Sequence, residues 1–109
     1  MQFAIIVTEV ESFTSESGGQ VMRLIVSDHK GRSISVIGAP EQQINIQTVK
    51  NQMLPMIVLS DQVDRISDTE YLIPEKSLVS VVPLESKAIK MMLEAGKADE
   101  VLQNFAVLP

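Results

Sequence analysis

The sequence contains no cysteine and no tryptophan, and its one histidine is His29. The missing thiols exclude a disulfide framework, a thiolate nucleophile and a Cys/His zinc site together, and they fit a reducing compartment. Aromatic side chains are scarce: Phe3, Phe13, Tyr71 and Phe105 are the whole set. Long hydrophobic runs are absent too. Segments such as Phe3 to Val7 and Met53 to Leu59 fall far short of the ~20 residues that a membrane-spanning helix needs. The run at Phe3 has no basic residue before it, and Glu9 and Glu11 follow at once, so it does not read as an export signal. The expectation is a soluble cytoplasmic protein with no membrane contact. Positive charge is also in short supply, with 9 Lys and Arg against 14 Asp and Glu, a formal net charge of −5. That balance argues against a strongly basic nucleic-acid binder, because neutralising phosphates takes clustered Lys and Arg.

What is present is an ordinary globular composition, 45% apolar and 21% charged over 109 residues. Such a chain is not disordered, and at this length it buries roughly 60–70% of its unfolded surface around one core. The few cations are also unevenly placed. Arg23, Lys30 and Arg32 fall within ten residues whose one carboxylate is Asp28, while the acidic excess sits in Asp61 to Glu75 and around Glu9 to Glu16.

Along the chain, Phe3 to Glu11 starts as a continuous apolar run and ends in alternation, the pattern of a strand buried at one end and emerging at the other. A loop with Gly18 and Gly19 follows; a phosphate cradle would need a Lys and a Ser or Thr opening a helix, and Gln20 opens a strand instead. Gln20 to Ser27 and Arg32 to Gly38 read as a hairpin joined by "DHKG", with Asp at the turn start and Gly at its end. Val21, Arg23, Ile25 and Ser27 share one face of that first strand, and this face is the better candidate for meeting solvent or a partner. The segment Pro40 to Gln52 fits either a short helix or an extended connector. "MLPMIVLS" reads as a strand, Ser60 to Lys76 as a polar loop containing a turn or short strand, and "SLVSVV" as the last strand. The period then changes from 2 to 3.6: Ala88, Met92, Ala95, Leu102 and Phe105 form a helical stripe, with Gly96 dividing it into two helices.

No catalytic or metal constellation emerges. The series Asp61, Asp64, Asp68 and Glu70 lacks the spacing, the central glycine and the closing Glu of a calcium loop, and reads as a solvated acidic loop. His29 sits in a turn with no serine nucleophile and orienting carboxylate at a recognisable spacing. No cofactor and no metal are expected, and the chain is not read as an enzyme.

The element order carries a resemblance. A long first strand, a glycine-containing loop, a hairpin, a connector after "GAPEQQ" and two more strands separated by a long loop resemble the five-stranded OB-fold barrel, over about residues 3 to 83. In size and order the chain is most similar to the small single-stranded DNA-binding proteins of phages and plasmids, which act in DNA replication. The resemblance implies a mainly β fold, a five- to six-stranded antiparallel OB-like barrel over residues 1–83 with a helical tail over 84–109. It also implies a platform with Arg23, Lys30, Arg32 and Ser35, with Phe13 in the first loop and Arg65 and Tyr71 in the last, binding single-stranded DNA by charge neutralisation and stacking. The alternative is a protein-interaction or assembly module without nucleic acid. In either case the tail is expected either to pack on the barrel or to help hold a homo-oligomer through Met91, Met92, Leu102 and Phe105.

Overall fold

The computed structural model describes residues 2–27, 32–82 and 85–109. It contains β1 (Phe3–Thr14), β2 (Gln20–Ser27), β3 (Ser33–Gly38), α1 (Gln43–Lys50, entered through a 3-10 turn at Pro40–Gln42), β4 (Met56–Ser60), β5 (Asp64–Arg65), β6 (Glu70–Ile73), β7 (Val79–Val82), α2 (Ser86–Glu94) and α3 (Ala98–Val101). The predicted turn carrying Asp28, His29 and Lys30 lies outside the described residues, as does Pro83.

The seven strands make one curled sheet, a half-barrel in the order β5-β6-β3-β2-β1-β4-β7. The fold is mainly β, as the alternation indicates, but it is not purely antiparallel. β3 and β6 run parallel, Ser35 to Gly38 alongside Glu70 to Ile73. The reason is connectivity: α1, β4 and β5 intervene between them, enough chain to bring β6 back in the direction of β3. The segment Ser60 to Lys76 supplies β5 and β6, so the strand number is seven and not five or six.

Strand β1 changes its inward parity. A bulge between Val7 and Glu9 shifts the register with β2, and the Thr8 hydroxyl donates to the Ile25 carbonyl oxygen at 3.1 Å. Before the bulge Ile5 and Val7 point into the half-barrel; after it Val10 does so, and Glu9, Glu11 and Phe13 turn outward. Inside, these residues meet Leu24 and Val26 of β2, Ile34 and Val36 of β3, Val58 of β4, Tyr71 and Ile73 of β6, and Ile46 and Val49 of α1.

The position of α1 follows from a glycine and two glutamines. A Cβ at Gly38 would lie 2.4 Å from Cδ1 of Ile46 and 2.9 Å from Cβ of Gln42, so only glycine lets α1 approach the end of β3 this closely. Gln43 accepts a hydrogen bond from the Met22 N–H at 2.9 Å and donates to the Gly38 carbonyl at 3.0 Å. Buried Gln42 donates from its amide to the carbonyls of Pro74, Glu75 and Ser77 at 3.0–3.1 Å, and accepts from Asn45. The two side chains tie the helix to β2 and β3 on one side and to the β6–β7 loop on the other.

A second cluster lies on the outer face: Ala4 and Ile6 of β1 and Ile57 of β4 pack against Ile89 of α2, Ala98 of α3 and Leu102, with Leu93 and Phe105 at its margin. Gly96, at φ +72°, breaks the helices as its place in the sequence predicts. The stripe is displaced from the expected one. Ile89 and Leu93 face the sheet, whereas Ala88 and Ala95 are exposed. Leu102 is 0% exposed and half-buried Phe105 packs beside it, so these two cover the chain's own sheet. Beyond them, Ala106 bridges to Phe3, Leu108 packs on the barrel core, and the Pro109 carbonyl accepts a hydrogen bond from the Tyr71 hydroxyl at 2.9 Å.

Among the described residues no helix is long and apolar enough to cross a membrane.

Candidate nucleic-acid interface

The outer face of the sheet is covered by α2 and α3 only at the β1–β4–β7 end. Among the described residues, no helix covers it across the second half of β1 and across β2, β3 and β6. One row crosses four strands through the pairs Glu11–Arg23, Arg23–Ile37 and Ile37–Leu72. A neighbouring row runs Glu9–Ile25–Ser35–Glu70, and Phe13 pairs with Val21 next to the first loop. The apolar members of these rows are half-buried, a state that suits a surface receiving a flat or extended partner.

Arg23 is the organising side chain. Its Nε donates to Oε2 of Glu11 at 3.0 Å, and its guanidinium carbon lies 5.0 Å from the centre of the Phe13 ring. The two charged side chains are 36% and 42% exposed, and a pair this accessible contributes at most about 1 kcal/mol. The ring contact adds about 0.5–1 kcal/mol. Arg23 is therefore held in a fixed pose by weak contacts that a stronger anion can replace.

Beside this row lies an open groove of about 590 Å³, with Val21, Ile37 and Leu72 as its apolar floor and Ser15, Ser17 and Pro40 at its rim. The first loop shapes one wall: Ser15 and Gly19 share a backbone hydrogen bond of 2.8 Å, and Gly18 takes φ +86° to close the turn.

The residues predicted from sequence are thus only partly gathered. Arg23, Phe13 and Ser35 share the open face, and Phe13 does so from strand β1 and not from the first loop, because β1 stays paired with β2 as far as Thr14. Arg32 is exposed just before β3, and Lys30 lies outside the described residues. Arg65 is on edge strand β5, bonded to Asp68 and to the Ser67 carbonyl. Tyr71 is not a loop aromatic. It sits on β6, 3% exposed, with its ring in the core and its hydroxyl on Pro109, so no base can stack on it. Sequence reasoning missed Glu11 as the partner of Arg23, and Ile37 and Leu72 as the groove floor. Alternation in β3 held the signal for Ile37. Leu72 sits in a segment that read as loop, and the Glu11 pairing depends on the bulge.

The face is also acidic. Glu9, Glu11, Glu70 and Asp64, the register partner of Leu72, lie along it, with Arg23 as its one cation among the described strand residues facing this way. Among the described residues no group of three or more acidic or histidine side chains converges as a metal site.

No protein-family model and no curated protein sequence matches the chain. A solved structure of a murine DNA-binding protein bound with double-stranded DNA is similar in fold, with a TM-score of 0.53 and 10% sequence identity. The match covers 88% of this chain and 47% of the murine one, so the chain spans about half the length of that protein.

Proposed function

We propose that the protein is a non-enzymatic, OB-like binder of single-stranded nucleic acid, DNA in the first place, that engages its ligand on the open face of β1, β2, β3 and β6. The observation that carries this reading is Arg23 posed over Phe13 beside an apolar groove. A phosphate contact, a stacking ring and a seat for a base then lie on adjacent strands. The fold likeness to a protein bound to double-stranded DNA supports the nucleic-acid part of this reading and not its single-stranded part. Lys30 and Arg32 join it on sequence grounds alone, as cations in and beside the turn predicted by "DHKG". A cytoplasmic role in DNA replication, of the kind small phage and plasmid proteins perform, fits these features.

Because Glu9, Glu70 and Asp64 line the same face, stacking and apolar contact carry most of the affinity, and the salt dependence is shallower than clustered cations would give. The test is fluorescence anisotropy with labelled oligo-dT and with a duplex of equal length, at low and moderate salt. Tighter binding of oligo-dT supports the reading; preference for the duplex removes its single-stranded element.

The acidic face favours a second reading, an assembly module that holds a homo-oligomer. Met91, 61% exposed on α2, is the side chain of the proposed tail contact most available to a second copy, with Met92 half-buried beside it. Absence of binding to either oligonucleotide, together with a light-scattering mass above the monomer, supports this module instead.

A further inference from the structure

The row Glu11–Arg23–Ile37–Leu72 places a carboxylate, a guanidinium and two apolar side chains in sequence across four strands. We propose that this row is a one-nucleotide subsite in which Glu11 occupies the phosphate position of the unliganded protein. The proposal rests on the nucleic-acid reading above and extends it to the class of ligand atom that each residue meets.

Three observations converge. Glu11 Oε2 accepts the Arg23 Nε–H at 3.0 Å, the same donor geometry that a phosphodiester oxygen takes on an arginine. Phe13 lies under the guanidinium and keeps its plane in place whichever anion is bound. On the far side of Arg23 the strand partners Ile37 and Leu72 line the groove, so a base extending from a phosphate at Arg23 meets an apolar surface. Binding then exchanges one oxyanion for another on Arg23 and leaves the Glu11 carboxylate beside the strand. Because Arg23 and Glu11 together are neutral, the subsite releases no net counterion, and it favours neither strong binding nor steep salt dependence.

Glu11→Gln keeps the shape and removes the competing charge. In oligo-dT titrations the variant should bind more tightly than the parent, with a slope of log affinity against log salt steeper by about 0.7. Over a fourfold drop in salt that difference is an additional factor of about 2.6 in affinity, since four to the power 0.7 is about 2.6. Arg23→Gln added to this variant should abolish the gain. Equal affinity and equal slope for parent and Glu11→Gln overturn the proposal, as does weaker binding by the variant, which would make Glu11 a support for the Arg23 pose. Binding by neither chain overturns the nucleic-acid reading and the subsite with it. A measurement on the parent alone gives an independent check: the Arg23 Nε–H resonance should shift when oligo-dT is added, and an unmoved resonance in a bound complex refutes the exchange.

Discussion

The outer side of β1 is one continuous strand face used in two ways. Near its start it presents Ala4 and Ile6, which α2 and α3 cover; past the bulge it presents Glu9, Glu11 and Phe13, which nothing in the described chain covers. Apolar side chains in the first half are sealed by the chain's own helices, whereas the second half mixes carboxylates with a ring and stays at the surface. The difference teaches that the helical tail is not a general cover for the barrel. It is fitted to one patch, and the remaining patch is kept open at the expense of leaving Val21, Ile25, Ile37 and Leu72 half in water.

The largest expected effect tests the covered half. Leu102→Ala deletes a side chain that is 0% exposed and should cost about 2–5 kcal/mol in urea unfolding, with the loss growing as the cavity fails to collapse. Arg23→Gln, its counterpart on the open half, should cost no more than about 1–2 kcal/mol, because its contacts with Glu11 and the Phe13 ring are each worth about 1 kcal/mol or less. Similar losses for the two would erase the distinction between the halves.

Next in size is Phe13→Ala, expected to weaken oligo-dT binding by about 1–3 kcal/mol while leaving the far-ultraviolet circular dichroism spectrum unchanged. Anisotropy titration decides it, and an unaffected affinity would move the binding surface off the open face.

Gln42→Ala should cost about 1–3 kcal/mol in stability, since three carbonyls of the β6–β7 loop lose their amide donor. Thermal unfolding measures it. The smallest effect is expected at Met91→Ser, within about 0.5 kcal/mol in stability; a fall in light-scattering mass would assign α2 to a second copy, and a constant mass would leave it a solvent-facing residue.

Much of the sheet was legible because alternation and punctuation agree in β1 to β3, and because Gly96 breaks the tail where a glycine stop meets an acidic helix start. Other features were not. The stripe of α2 slips by one position because alanine and methionine give weak contrast, so Ala88 and Met92 fit a period almost as well as Ile89 and Leu93. β6 is four residues inside a polar stretch, and its parallel partner β3 lies more than thirty positions earlier, a pairing no local pattern encodes. The inward turn of Tyr71 follows from that pairing. The Glu11–Arg23 contact depends on the bulge, since without the extra residue Glu11 would point inward and the outward position facing Arg23 would fall elsewhere along β1.

The amide of Gln42 joins carbonyls 32 to 35 positions further along the chain, and this separation has a kinetic consequence. Closing so long a loop is entropically slow to be rewarded, so the contact is expected to form after the β1–β2–β3 meander rather than in the folding nucleus. A contact absent from the transition state acts on the unfolding rate. Gln42 is then a brake on escape from the native state: its loss should hasten unfolding and leave refolding at nearly the parent's pace, with the amides around Ser77 exchanging with solvent earlier than those of β2.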